Sequence, residues 1–230
     1  RYMDFIRGFR EQVEKEEIGP LNSMYREICD FIEDKDHDTV DLDTIRKIKT
    51  LIRVGEAKAS CRYAGVKTEH VHFLNLPFYE TGGVEKRPVA PEDVGLVVDL
   101  IRKVKPHQIY AAGDLSDPHG THRVCLNIIF DALDVLRGDD WIKDCWVWLY
   151  RGAWQEWDIH QIEMAVPISP DELMRKRMAI FKHQSQKDGA VFMGEDNREF
   201  WQRAEERNRG TAKAYDDLGL AEYEAVEAFV

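Results

Sequence analysis

The chain has 230 residues, of which 43% are hydrophobic and 33% are charged, and its formal net charge is −11. This balance is typical of a globular domain and excludes a disordered chain, because ten Phe, eight Tyr and six Trp need a core. The acidic balance argues against a general nucleic-acid binder or a binder of anionic membranes, since both need basic faces. An anionic small molecule stays compatible with it, because a local Arg can bind a phosphate or carboxylate.

The pattern of apolar residues and cysteines predicts a cytoplasmic protein. No apolar run approaches the roughly 20 residues that cross a bilayer, and no signal peptide opens the sequence. The four cysteines lie far apart without a Cys-x-x-Cys pair, which is typical of reduced thiols. The sequence starts at Arg1 inside a helical pattern, so we expect residues 1–230 to form a single domain that is incomplete at its N-terminus.

The first third of the sequence reads as helices followed by one strand and a long loop. Apolar residues at helical spacing predict helices over Tyr2–Glu16 and Asn22–Ile32. A long third helix is predicted with Asp43 or Thr44 as its cap, and it runs towards Tyr63 and stops near Gly65. The short apolar run Val71–Leu76 predicts a strand. Residues 77–91 predict a loop whose length is typical of a functional segment.

The rest of the sequence alternates between helices and strands, which predicts an α/β fold with a sheet rich in parallel strands. The polar segment 114–121 is a predicted loop, and the C-terminal tail reads as acidic. In chain order the predicted elements are a helix over Glu92–Lys103, a strand over Gln108–Ala112, a helix carrying Val124 to Leu136, strands over Cys145–Tyr150 and Gln161–Pro167, and helices over Pro170–Gln184 and Asn197–Ala214.

The densest group of polar residues, 113–123, follows a predicted strand and precedes a predicted helix. Ligands bind at that end of the strands in open α/β sheets. His119 and His122 are three residues apart at a helix start and can face the same way, and neutral imidazole with carboxylate partners suits zinc. Asp114 and Asp117 could orient the rings. The alternative is that Asp117 caps the helix and both histidines are solvated; the position at a strand end favours a site.

Several segments resemble the PIG-L/LmbE-like family of zinc-dependent N-deacetylases. The stretch Asp-Pro-His-Gly-Thr-His-Arg at 117–123 resembles that family's second motif. Three further segments resemble other parts of the family in the same order: Arg53-Val54-Gly55-Glu56-Ala57, the strand at His72–Leu76, and Lys182-His183-Gln184-Ser185-Gln186. The form of the His motif, behind long helices, resembles a bacterial subgroup in which this domain is fused behind a glucosamine-6-phosphate deaminase domain.

The resemblance implies a three-layer αβα, Rossmann-like fold with a mostly parallel sheet, and zinc-dependent hydrolysis of an N-acetyl amino sugar or related N-acyl substrate. His122 would be a zinc ligand, and His119 would stabilise the oxyanion or protonate the leaving amine. Arg53 would bind substrate. The family has Pro-Asp between the two histidines where this sequence has Gly120-Thr121, so Asp117 or Asp114 would have to steady the imidazole instead.

A larger departure is that the family's first motif, His-Pro-Asp-Asp, occurs nowhere in the sequence. That motif supplies two of three metal ligands and the general base in the family, and catalytic zinc needs three protein ligands. The sequence as it stands is therefore expected to bind zinc poorly. We expect the strand that carries the motif to come from preceding polypeptide, because losing an inner strand leaves backbone groups unpaired at roughly 1–3 kcal/mol each.

Other residues and functions stay open at the sequence level. Arg151, just past a predicted strand, would bind an anionic group or lie on the surface. Four tryptophans with a tyrosine would form either a sugar-stacking wall or a core strand with its rim; these are Trp146, Trp148, Trp154, Trp157 and Tyr150. The competing functions are a non-catalytic regulatory or scaffolding module and, ranked low because no Gly-Asn-His occurs, a metallophosphoesterase. The expected partners are a small molecule and a fused upstream domain, with homo-oligomers left open.

Overall fold

A computed structural model describes residues 19–36, 39–80, 84–113, 120–153, 155–186 and 198–230. The predicted helix over Tyr2–Glu16 and the site residues Asp114, Asp117 and His119 lie outside these ranges. The helices are α1 Gly19–Asp34, α2 Asp43–Tyr63, α3 Pro91–Val104, α4 Thr121–Leu136, α5 Pro170–Ile180 and α6 Phe200–Asp217. The strands are β1 Gln108–Ala112, β2 Trp146–Tyr150, β3 Met164–Ile168 and β4 Ala225–Phe229.

The four strands form one mixed sheet in the order β1-β2-β4-β3. β1 and β2 are parallel, whereas β4 runs antiparallel to both of its neighbours. The α/β class is confirmed, but in the described residues the sheet is mixed and not mostly parallel. The difference comes from β4, in a segment that the sequence reading took for an acidic tail.

The strand predicted over Val71–Leu76 is wrong, because these residues form no ladder after the 3-10 turn Thr68–His70. An apolar run becomes a strand only where a neighbouring strand takes its backbone hydrogen bonds. No described strand lies beside this segment. Leu74 and Leu76 instead pack against the main core.

One core lies between β1 and the helix pair α3 and α4. Ile109 of β1 packs against a buried cluster formed by the two helices and by Phe78, which lies two residues after the 71–76 segment. The members of this cluster are Phe78, Val97, Val98, Ile101, Ile128, Ala132 and Leu136. The apolar stripes that predicted both helices are the faces that they bury.

The buried carboxylate of Asp93 ties the long loop before α3 to the helix. Its two oxygens accept hydrogen bonds from the backbone amides of Phe78 and Ala90, both at 2.9 Å. Asp93 lies in the first turn of α3 and is only 1% exposed. The Asp93 side chain therefore binds the first and the last residue of the segment 78–90 and holds them together.

The opposite sheet face carries a buried ionic network centred on Glu227 of β4. Lys176 of α5 and Arg207 of α6 both donate to this carboxylate, and Asn208 donates to it at 3.1 Å. Arg207 also pairs with Glu156 at 2.6 Å. Burial raises the pKa of Glu227, but the charges and hydrogen bonds of Lys176 and Arg207 outweigh it, so the pKa lies below its usual value.

Two expectations from the sequence can be compared with this fold. No helix in the described ranges is long and apolar enough to cross a membrane. The cysteines Cys29, Cys61, Cys125 and Cys145 are free thiols in this structure.

We predict that Glu227→Ala lowers the free energy of unfolding by about 1–3 kcal/mol near neutral pH, because two part-buried cations lose their shared carboxylate. The ion pairs of Glu227 stabilise the parent protein at pH values above 4.5, the pKa of this carboxyl group in the unfolded chain. This stabilisation is lost as the pH falls through the lower pKa that Glu227 has in the folded protein. Urea unfolding at several pH values measures both effects, and the variant should lose less stability on acidification than the parent.

The control is Glu206→Ala, which removes an exposed pair with Arg198. Exposed pairs contribute about 0–1 kcal/mol, so this variant should unfold almost as the parent does. Equal effects of the two substitutions would contradict the role assigned to the network.

Candidate functional site

The parallel strands β1 and β2 end side by side, with Ala112 in register with Tyr150. The amide of Gly113 donates to the carbonyl of Tyr150 at 2.8 Å, which extends the pairing by one residue. Arg151 therefore follows β2 at the same edge of the sheet at which Gly113 follows β1. The sequence reading expected a ligand-binding edge here, and this is the end of a parallel pair where ligands bind in α/β sheets.

Gly113 stands at this edge because nothing larger fits. A Cβ atom on Gly113 would lie 2.8 Å from Cβ of Leu149 and 2.9 Å from the Trp157 ring, closer than non-bonded carbons approach. The Trp157 indole is itself fixed by a hydrogen bond from its Nε1 to the carbonyl of Leu149 at 3.2 Å. Trp157 thus packs across the ends of both strands.

Arg151 stacks on that indole, with the guanidinium carbon 3.8 Å from the ring centroid. A planar guanidinium over an indole face is a cation–π contact, which holds the cation in place without removing its charge. Arg151 is half-buried. Its contact with Trp157 joins it to the strand ends, and its role in binding an anionic group stays a prediction.

His122 lies in the first turn of α4, and its side chain is exposed. The helix begins after Gly120, whose φ of 67° is in the left-handed region that glycine adopts without strain. Gly120, the glycine between His119 and His122, therefore allows the backbone conformation from which α4 begins. His119 and Asp117 lie outside the described residues, so their position relative to His122 stays a prediction.

The loop before α3 adds a cation that the sequence reading missed. Lys86 donates a hydrogen bond to the hydroxyl of Thr121, and its ammonium lies 5.5 Å from the Tyr79 ring centroid. Burial raises the pKa of the Cys125 thiol one turn further along α4, and Lys86 partly opposes this effect. The sequence feature that pointed to this region was the length of the loop, which predicted a functional segment but did not single out Lys86.

Arg53 belongs to a different cluster, formed by α2 and the turn after α5. One helical turn from Arg53, the Glu56 carboxylate accepts hydrogen bonds from the amide of Ser185 at 2.6 Å and from its hydroxyl at 2.7 Å. The two segments are 129 residues apart in sequence, and both were singled out by the family resemblance. Arg53 is exposed on α2, which packs mainly against α5.

The aromatic residues of β2 do not form one wall with Trp157. Trp146 and Trp148 are stacked with ring centroids 6.1 Å apart, and alternation along the strand places them with Tyr150 on one sheet face. Trp146 is 64% exposed, so this face is not simply a core strand. Trp157 lies beyond the strand end, and Trp154 lies outside the described residues.

The described residues do not by themselves fit a zinc ion. No group of three or more His, Cys, Asp or Glu side chains converges within the described ranges. His122 supplies one exposed imidazole, whereas a catalytic zinc site takes three protein ligands. Further ligands would have to come from residues that are not described or from outside this sequence.

The amino-acid sequence is 53% identical over 232 residues to a glucosamine-6-phosphate deaminase-like protein of Bacteroides thetaiotaomicron. The alignment covers 100% of this chain and 35% of that protein, so the chain spans about a third of its relative's length. No protein-family model matches the sequence.

The fold is similar to the crystal structure of GalB, the 4-carboxy-2-hydroxymuconate hydratase from Pseudomonas putida KT2440. The TM-score is 0.52, with 77% of this chain and 70% of that chain covered. At 16% sequence identity the likeness concerns the fold alone. Neither relative is named as an N-deacetylase, so that activity stays a proposal.

We predict that Gly113→Ala lowers the free energy of unfolding by about 1–3 kcal/mol, because the new methyl group collides with Leu149 and Trp157. Gly95→Ala is the matched control. Gly95 lies inside α3 with nothing within 4 Å of its Cβ position, so alanine there should add about 0.4–1 kcal/mol. Chemical denaturation measures both changes, and a stabilising Gly113→Ala would refute the close approach at the strand ends.

A double-mutant cycle of Glu56→Ala and Ser185→Ala should give a coupling energy of about 1–2 kcal/mol, because it isolates the bond from the Ser185 hydroxyl to the carboxylate, whereas the bond from the backbone amide survives Ser185→Ala. The exposed pair of Lys213 and Asp217 should couple more weakly, because solvent screens the charges of exposed ion pairs. Unfolding experiments on the four variants of each cycle give both values. Additive effects at Glu56 and Ser185 would mean that this link is not formed in solution.

Proposed function

We propose that this chain is a hydrolase domain that deacetylates an N-acetyl amino sugar or cleaves a related N-acyl substrate. The observation that carries the proposal is the position of His122, in the first turn of the helix that follows β1, with Arg151 at the end of the adjacent parallel strand. This edge is where α/β folds bind small molecules. We also propose a three-layer αβα, Rossmann-like arrangement for the complete domain.

The name of the Bacteroides relative supports an amino sugar as the substrate class. That protein is described as glucosamine-6-phosphate deaminase-like, and it is 53% identical to this chain. Its greater length is in keeping with a fused deaminase-like domain. The expected partner of this domain is therefore a small amino-sugar substrate, in the cytoplasm, with a second enzymatic domain on the same polypeptide.

Zinc is the metal proposed for the complete site, with His122 as one of its ligands. When bound, zinc lowers the pKa of water and polarises a carbonyl oxygen. The remaining ligands would come from preceding polypeptide, which is also the proposed source of a strand beside the open edge of β1. In the described residues β1 pairs only with β2, so its other edge can accept such a strand.

The proposed roles of the other residues follow from their chemistry. His119, steadied by Asp117, would donate a hydrogen bond to the developing oxyanion or protonate the leaving amine. Arg151, fixed against Trp157, would bind an anionic or polar group of the sugar. Arg53 would contact substrate from α2, next to the Glu56 and Ser185 link.

The second candidate function is a non-catalytic module that regulates or supports a fused sugar-phosphate enzyme. Two observations favour it: the described residues supply a single imidazole at the candidate site, and the chain spans only about a third of its relative. Such a module would bind an amino-sugar phosphate without hydrolysing an amide. It would hold no stoichiometric metal.

The test is metal analysis and an N-deacetylation assay on the full-length protein. We predict that His122→Ala loses both metal and hydrolysis, whereas His119→Ala keeps the metal and loses hydrolysis by at least about a hundredfold, the usual contribution of acid–base catalysis. His160→Ala, at an exposed position in the 3-10 turn Ile159–Gln161, should change neither. A parent protein without metal and without hydrolysis would favour the regulatory module, and hydrolysis retained in both variants would reject the assigned roles.

A further inference from the structure

We infer that Lys86 is a specificity residue that binds an anionic group, a phosphate ester or a carboxylate, on the substrate of this site. The inference rests on the proposed function for the location of the substrate. It adds a residue that no sequence motif indicated and a property of the ligand, its negative charge.

The fold holds Lys86 in place through the loop that carries it. The base of the loop is closed by Asp93, and Phe78 at its start is buried in the main core. Further along, Glu80 forms an ion pair with Arg46 of α2 at 3.0 Å. These contacts hold the two ends of the loop on either side of Lys86.

That place is the start of α4. The Lys86 ammonium donates to the hydroxyl of Thr121, the residue directly before His122, and lies over the Tyr79 ring. An ammonium has three donors, so one hydrogen bond to a hydroxyl leaves capacity for an oxygen of a ligand. The side chain is exposed, which leaves it open to a ligand arriving from solvent.

The charge of Lys86 is not neutralised by the part of the chain that the structure describes. Its contacts there are a hydroxyl and a ring, and the first turn of α4 contains no acidic residue. Some lysines do pair with carboxylates: Lys35 and Lys49 pair with Asp41, and Lys213 pairs with Asp217. Among the described residues no carboxylate contacts Lys86, which leaves its charge available to an anion of a ligand.

Arg151 supplies a second cation at the strand ends. Its stacking on Trp157 keeps the guanidinium beside β2. Arg and Lys side chains are the groups that bind phosphate and carboxylate in proteins. The Lys86 ammonium at the start of α4 favours a charged amino sugar over a neutral one.

The test compares substrates of different charge on the full-length protein and on Lys86→Met. N-acetylglucosamine 6-phosphate carries a phosphate, N-acetylmuramic acid carries a carboxylate, and N-acetylglucosamine is neutral. We expect Lys86→Met to raise KM about tenfold for one of the charged substrates, to leave kcat largely unchanged, and to leave KM for the neutral sugar unchanged. The charged substrate whose KM rises shows whether Lys86 binds a phosphate or a carboxylate.

Two variants separate recognition from structure. Lys86→Arg keeps the charge and should recover most of the affinity, whereas Arg87→Met, at an exposed position next in the loop, should change nothing. A uniform KM increase for all three substrates, or no increase for any, would show that Lys86 only fastens the loop to α4 and would overturn the inference.

Calorimetric binding of glucosamine 6-phosphate and glucosamine keeps the outcome distinct from that of the proposed function, because it needs no hydrolysis. The inference predicts a Kd for the phosphorylated sugar that rises about tenfold in Lys86→Met. An unchanged Kd, or a parent protein that binds neither sugar, would overturn the role of Lys86 whether or not the protein is a deacetylase.

Discussion

The parallel pairing of β1 and β2 is the constraint on which the candidate site depends. Because the two strands run in the same direction and in register, the residues that follow them emerge at one edge. The bond from Gly113 to Tyr150 fixes that edge, and Trp157 packs too close for any side chain on Gly113. This pairing places Gly113 and Arg151, which are far apart in sequence, at the same edge of the sheet.

The far side of the sheet is held by charges and not by apolar packing alone. Glu227 gathers Lys176 from α5 and Arg207 from α6, which fixes both helices on β4. The turn after α5 then presents Ser185 to Glu56 of α2. A part-buried carboxylate in the last strand thus positions the helix whose end meets the Arg53 segment, although Glu227, Lys176 and Glu56 are far apart in sequence.

Local patterns predicted the helices and β1, whereas contacts between distant segments escaped them. The bounds of β1 match the prediction at Gln108–Ala112 because a buried run between a helix and a glycine is a local signal. β4 was missed because its central Glu227 looks solvated until cations from two helices surround it. Val71–Leu76 was read as a strand for the converse reason: its composition fits a strand, but no described strand pairs with it. α5 ends at Ile180, short of the predicted Gln184, where the chain turns towards Glu56.

The sequence predicted a site at the ends of the parallel strands, and its residue assignments stay predictions. His122 begins the helix after β1 and Arg151 follows β2, while Lys86 comes from a loop whose ends are held by Asp93 and Glu80. The central claim is that His122 ligates a metal in the complete protein. An anomalous difference map at the zinc absorption edge, from crystals of the full-length protein, tests it most directly. The account predicts a peak about 2.0–2.1 Å from a ring nitrogen of His122. A map with no peak, or with its peak away from His122, would contradict it.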